Sequence, residues 1–74
     1  MSRLIRMDQT GHTTLAQWRS DDPTTVAAAA AAFEAELERG YYAVASDGDG
    51  RAEHVRELPL EAPLVILRRP IAGG

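Results

Sequence analysis

Cysteine and lysine are both missing from this 74-residue chain. Without cysteine there can be no disulfide staple, no thiolate metal site and no cysteine nucleophile, and a reducing compartment is the natural setting. Without lysine, all eight basic residues are arginine, and the α-amino group of Met1 is left as the sole amine nucleophile. A GC-rich coding sequence would account for that bias and for the alanine run as well. No apolar run approaches the ~20 residues that cross a bilayer. The start, Met1-Ser2-Arg3-Leu4-Ile5-Arg6, enters a strand pattern at once with no apolar export segment. A soluble, cytoplasmic protein with no membrane association is expected. The net charge is −3 and the arginines are scattered singly except for Arg68-Arg69. With no basic stripe to release counterions, nucleic-acid binding is not expected either.

A chain this short makes one domain. It buries only about 60% of the surface its unfolded form exposes, so a deep cavity walled by its own residues is not expected. Function should lie on the surface or at a terminus, and catalysis is not expected of it.

Residues 2–8 alternate, with Leu4, Arg6 and Asp8 on one side and Arg3, Ile5 and Met7 on the other; Ile5 and Met7 are expected to be the buried pair. Gln9-Thr10-Gly11-His12 reads as a tight turn closed by Gly11, and Thr13 to Trp18 returns as a second strand with Leu15 inward. Asp22-Pro23 is a helix start: the carboxylate can accept from orphan N–H groups, and proline at the first helical position has none to lose. Thr24 to Arg39, with six successive alanines and Gly40 as its stop, predicts a helix about 24 Å long. Val26, Ala30, Phe33 and Leu37 form its apolar stripe, with Glu34, Glu36 and Glu38 mainly off it.

Tyr41 to Ser46 alternates again and breaks at Asp47-Gly48-Asp49-Gly50, a hairpin turn. Ala52 to Leu58 reads as a polar edge strand ended by Pro59. Leu64-Val65-Ile66-Leu67 is an unbroken apolar run suited to a central strand buried on both faces. The helix supplies the crossover length that parallel pairing of the last strand with the first requires. The order is ββαββ, with one short extra strand, an α+β arrangement with one helix on a mixed sheet.

The ending Leu64-Val65-Ile66-Leu67-Arg68-Arg69-Pro70-Ile71-Ala72-Gly73-Gly74 resembles that of ubiquitin-like proteins, and still more that of the MoaD and ThiS sulfur carriers. The resemblance covers the chain in element order and length, but its specific motif is only the last few residues. It implies a ubiquitin-like β-grasp domain over residues 1–69 and an extended tail over residues 70–74. It also implies activation at Gly74, with Gly73 beside it, by a ThiF- or MoeB-like adenylating enzyme of the ubiquitin-activating class, with a JAB-type peptidase as a possible second partner. Arg68, Arg69, Pro70 and Ile71 would be the tail and docking residues, on a protein monomeric when free. A terminal glycine has no Cβ beside the reacting carbon, so its carboxylate can be threaded to the α-phosphate of ATP with little steric penalty. A thiol or persulfide can then attack the acyl adenylate, leading to amine conjugation or to a sulfur-carrying thiocarboxylate. Pro70 biases Arg69 toward an extended backbone. The spacing Pro70 to Gly74 is nearer the sulfur carriers, whereas Arg68-Arg69 is nearer ubiquitin. A modifier without lysine cannot extend lysine-linked chains on itself. The competing expectation is a non-covalent β-grasp interaction module, such as a phage or structural accessory protein, in which the Gly-Gly end is incidental.

Other groupings are weaker. Asp47-Gly48-Asp49-Gly50 resembles the front of a calcium loop but lacks the further aspartate and the closing glutamate. His12 and His54 fall in different elements with no cysteine to join them, so no metal site and no cofactor is expected. Trp18 is expected in the core.

Overall fold

The computed structural model describes residues 1–9, 11–47 and 49–70. Five strands and one helix follow in the order β1 (Ser2–Asp8), β2 (Gly11–Trp18), α1 (Pro23–Glu38), β3 (Tyr42–Ser46), β4 (Ala52–Val55) and β5 (Leu64–Arg68). The strands form one mixed sheet in the order β2-β1-β5-β3-β4, with α1 packed on one face. The chain is thus an α+β domain. Among the described residues, no helix is long and apolar enough to cross a membrane.

The helix begins where its cap dictates. The Asp22 carboxylate accepts from the Thr24 and Thr25 N–H groups at 3.1 and 3.4 Å, and Pro23 fills the first helical position. The Thr25 hydroxyl accepts from the Arg19 N–H at 3.0 Å, which ties the end of β2 to the first turn. At the other end Gly40 takes φ 99°. Its N–H donates to Leu37 O at 3.0 Å and the Tyr41 N–H donates to Glu36 O at 3.1 Å. This pair of bonds is the Schellman ending that a glycine in the left-handed region permits.

Parallel pairing of β1 with β5 is observed, Leu4 opposite Val65 and Ile5 opposite Ile66, and β5 pairs antiparallel with β3 on its other side. The Arg3 N–H extends the ladder to Pro63 O at 3.1 Å. Between sheet and helix lie Leu4, Trp18, Ala29, Phe33, Ala43, Val65 and Leu67, all essentially without solvent contact. The Trp18 indole N–H donates to Leu60 O at 3.1 Å, so the core's largest side chain also pins the loop that leads into β5.

Four expectations need correction. Leu4 and Ile5 are the buried residues of β1, whereas Met7 is 38% exposed. The helix lands on the Leu4 side, and Met7 lies near the far end of the uncovered face. The inner row of the helix runs through Ala29, Phe33 and Glu36 rather than Ala30, with Val26 and Leu37 flanking it; Glu36 is therefore buried. β4 stops at Val55, before Leu58. In β5, Val65 and Leu67 are buried under the helix while Leu64 and Ile66, on the open face, are half-buried. That strand is covered on one face only.

Trp18→Ala should cost about 3–5 kcal/mol through the cavity it leaves, and Asp22→Ala about 1 kcal/mol through the lost cap. Both should be read as shifts of the urea midpoint at unchanged slope.

Candidate functional site

Arg68 closes β5 opposite Tyr42, and Arg69 and Pro70 continue past it on the surface. Ile71, Gly73 and Gly74 lie outside the described residues. The chain therefore leaves the sheet from its central strand, between β1 and β3. A shallow groove lies at this exit, lined by Met7 to Gln9, by Tyr41 and Tyr42, and by Arg68 and Arg69.

Tyr41 links this groove to a cluster of charges. Glu36 is buried, and its Oε1 accepts from Arg6 at 3.1 Å and from Arg39 at 3.4 Å. Its Oε2 is buried without a hydrogen-bond partner among the described residues. A carboxylate taken out of water is costly unless compensated, and two guanidiniums on one oxygen supply that compensation. Arg6 lies over the Tyr41 ring at 6.0 Å, and Arg69 over the same ring at 5.7 Å. Both distances suit attraction of a cation to the ring's negative face.

Arg68, Arg69 and Pro70, expected from the sequence as tail and docking residues, are exposed where β5 ends; Tyr41, Arg6 and Glu36 were not anticipated. A signal for Glu36 was present: it lies three residues after Phe33 and seven after Ala29, on the same helical face.

Among the described residues, no helix covers the sheet's other face. Its middle row runs through Ile5, Ile66, Val44 and His54 in register. The Tyr42 and His54 rings stack there, with centroids 5.2 Å apart and planes at 6°. His12 and His54 are both exposed, and no cluster of three or more metal-ligating side chains occurs among the described residues. In the turn after β3, the Asp47 carboxylate accepts from the Asp49 N–H at 2.8 Å and the Arg51 N–H at 3.4 Å, closing the loop on itself.

No protein-family model, curated protein or solved structure matches this chain.

Arg6→Met should destabilise the domain by about 1–3 kcal/mol, because Glu36 would keep only its contact with the exposed Arg39. Adding Glu36→Leu should restore most of that loss, since an apolar pair replaces the stranded charge. Chemical denaturation of the two single variants and the double variant closes the cycle.

Proposed function

We propose that this protein is a ubiquitin-like carrier or modifier of the β-grasp type, activated at the Gly74 carboxylate by a ThiF- or MoeB-like adenylating enzyme. The observation that carries the reading is the place of β5. It is the middle strand of five, parallel to β1, and its end delivers Arg68, Arg69 and Pro70 to the surface. The sheet order and the helix packed across one face support the β-grasp reading. On this reading the folded domain is a rigid handle and residues 70–74 are the substrate.

In the activation step a Gly74 carboxylate oxygen attacks the α-phosphate of ATP. A phosphorus–oxygen bond forms, pyrophosphate leaves, and the acyl carbon becomes electrophilic as the mixed anhydride. Attack by an enzyme thiolate expels AMP and leaves a thioester, which an amine can open to an amide. Attack by a persulfide instead gives an acyl disulfide, and a second thiol then reduces its sulfur–sulfur bond, releasing the thiocarboxylate and a disulfide. Arg68 and Arg69 are the groups available for acidic residues of the enzyme. Pro70 has no N–H for a further ladder bond and so favours departure from the sheet.

A second reading, a non-covalent interaction module, is favoured by the uncovered sheet face, where Val44 and Ile66 are half-buried beside the stacked Tyr42 and His54.

Incubation with an adenylating enzyme of this class, ATP and a sulfur donor should convert the protein to a species heavier by the replacement of one oxygen with sulfur, read by intact mass. A conjugating route should give an amide adduct instead. Deletion of Gly74 should abolish either product while leaving the melting temperature unchanged. If the full-length chain is never adenylated, and deletion of Gly73 and Gly74 leaves its cellular phenotype intact, the interaction module is the better account.

A further inference from the structure

Tyr41 is held from two directions by one residue. The main-chain carbonyl of Glu36 accepts the Tyr41 N–H at 3.1 Å, which fixes the backbone directly after the helix. The side-chain carboxylate of the same Glu36 holds Arg6 at 3.1 Å, and Arg6 lies over the Tyr41 ring. The ring also packs against the hydrophobic core. Its position is thus settled by the helix end, by β1 and by the core, before the C-terminal segment is considered.

Arg69 meets that ring at 5.7 Å. Two guanidiniums near one aromatic ring would ordinarily repel each other. Here the first is neutralised by a buried carboxylate whose side chain is only 9% exposed, whereas the Arg6 side chain is 25% exposed. Arg69 therefore approaches a ring whose other cation is already paired, and the ring's negative face can attract it. Pro70 follows immediately. The residue before proline is confined to extended backbone, and proline's own φ is fixed near −65°. Docking the Arg69 side chain thus removes most of the remaining freedom at the point where the chain departs.

The geometry points to Tyr41 as the positioning residue for the C-terminal segment: it receives the Arg69 guanidinium, with Glu36 acting through Arg6 to make room for that second charge, and so fixes the direction in which the chain leaves the sheet. The ordering is a property of the free protein. Its bearing on activation rests on the carrier reading above, where a preset exit lowers the cost of threading the carboxylate into an enzyme.

The test uses the full-length protein in solution and needs no activating enzyme. Nitrogen-15 relaxation of the Arg69 amide should give an order parameter near the rigid value of about 0.85, and Tyr41→Ala should bring it below about 0.6. The upfield ring-current shift of the Arg69 side-chain protons should vanish in the same variant. Tyr41→Phe keeps the ring and should retain both signals. Tyr41 packs on the core, so Tyr41→Ala can also loosen the fold. Arg69→Gln, at an exposed site, should then produce the same loss of order at its own amide with the melting temperature unchanged. Glu36→Gln should reduce the ring-current shift without abolishing it. The proposal is overturned if Arg69→Gln leaves the amide at position 69 as ordered as in the parent. It is equally overturned if folded Tyr41→Ala keeps the Arg69 order and shift, or if Tyr41→Phe loses them as fully as alanine does. With an adenylating enzyme in hand, Tyr41→Ala should raise KM several-fold while kcat holds, and Tyr41→Phe should match the parent. A parent that orders Arg69 but is never adenylated sinks the carrier reading and leaves the positioning role standing.

Discussion

The hydrogen bonds on the two sides of β5 are what the rest of the molecule depends on. β1 and β2 form one hairpin and β3 and β4 another, and β5 joins them into a single sheet. Only across the joined sheet can Phe33 and Ala29 of the helix cover Leu4, Val65, Leu67 and Ala43 together. In so short a chain the core is a handful of residues, so the loss of one strand removes most of what opposes conformational entropy. Trp18 contributes twice, by filling the core and by holding Leu60 in the loop that feeds β5.

Among the described residues, Glu36 is the exception to an otherwise apolar interior. A buried carboxylate seldom adds net stability over an apolar residue of similar size. Its placement between Arg6 and Arg39 is better understood by what it organises: the helix end, the first strand and the start of the third all meet at this side chain or at its own carbonyl. Tyr41, whose N–H the Glu36 carbonyl accepts, is also part of the lining of the groove where the chain departs.

Much of the fold was legible because its signals are local or topological. Asp22-Pro23 and Gly40 mark helix ends through bonds made within a few residues, and a helix between strands supplies the crossover that parallel pairing needs. The failures share a different cause. Alternation along β1 separates Leu4 from Ile5 and Met7 but does not say which side a helix will cover. The register shift between Leu4 and Ile5, where β2 carries an extra residue, has no mark in the sequence. Glu36 lies on the apolar stripe by position and off it by charge, and what decides between them is Arg6, thirty residues away in the chain. At the candidate site, Arg68, Arg69 and Pro70 could be placed from the end of the last apolar run. The ring that meets Arg69 could not, because Tyr41 is brought there by the glycine turn after the helix and not by any spacing relative to the tail.

Pairing Leu4 with Val65 has a consequence for how the chain acquires its shape. The two residues lie near opposite ends of the sequence, so the contact that unites the sheet closes a loop containing almost everything else, and such topologies fold slowly for their size. During synthesis the first hairpin and the helix emerge while the strand they need is still unmade. Until β5 appears, the β1 edge that will receive it has no neighbour, and the apolar side chains meant for the core stay partly in water. The molecule is thus complete only once its last strand exists, and a chain cut short before Leu64 would present an open edge to other chains in place of a folded domain.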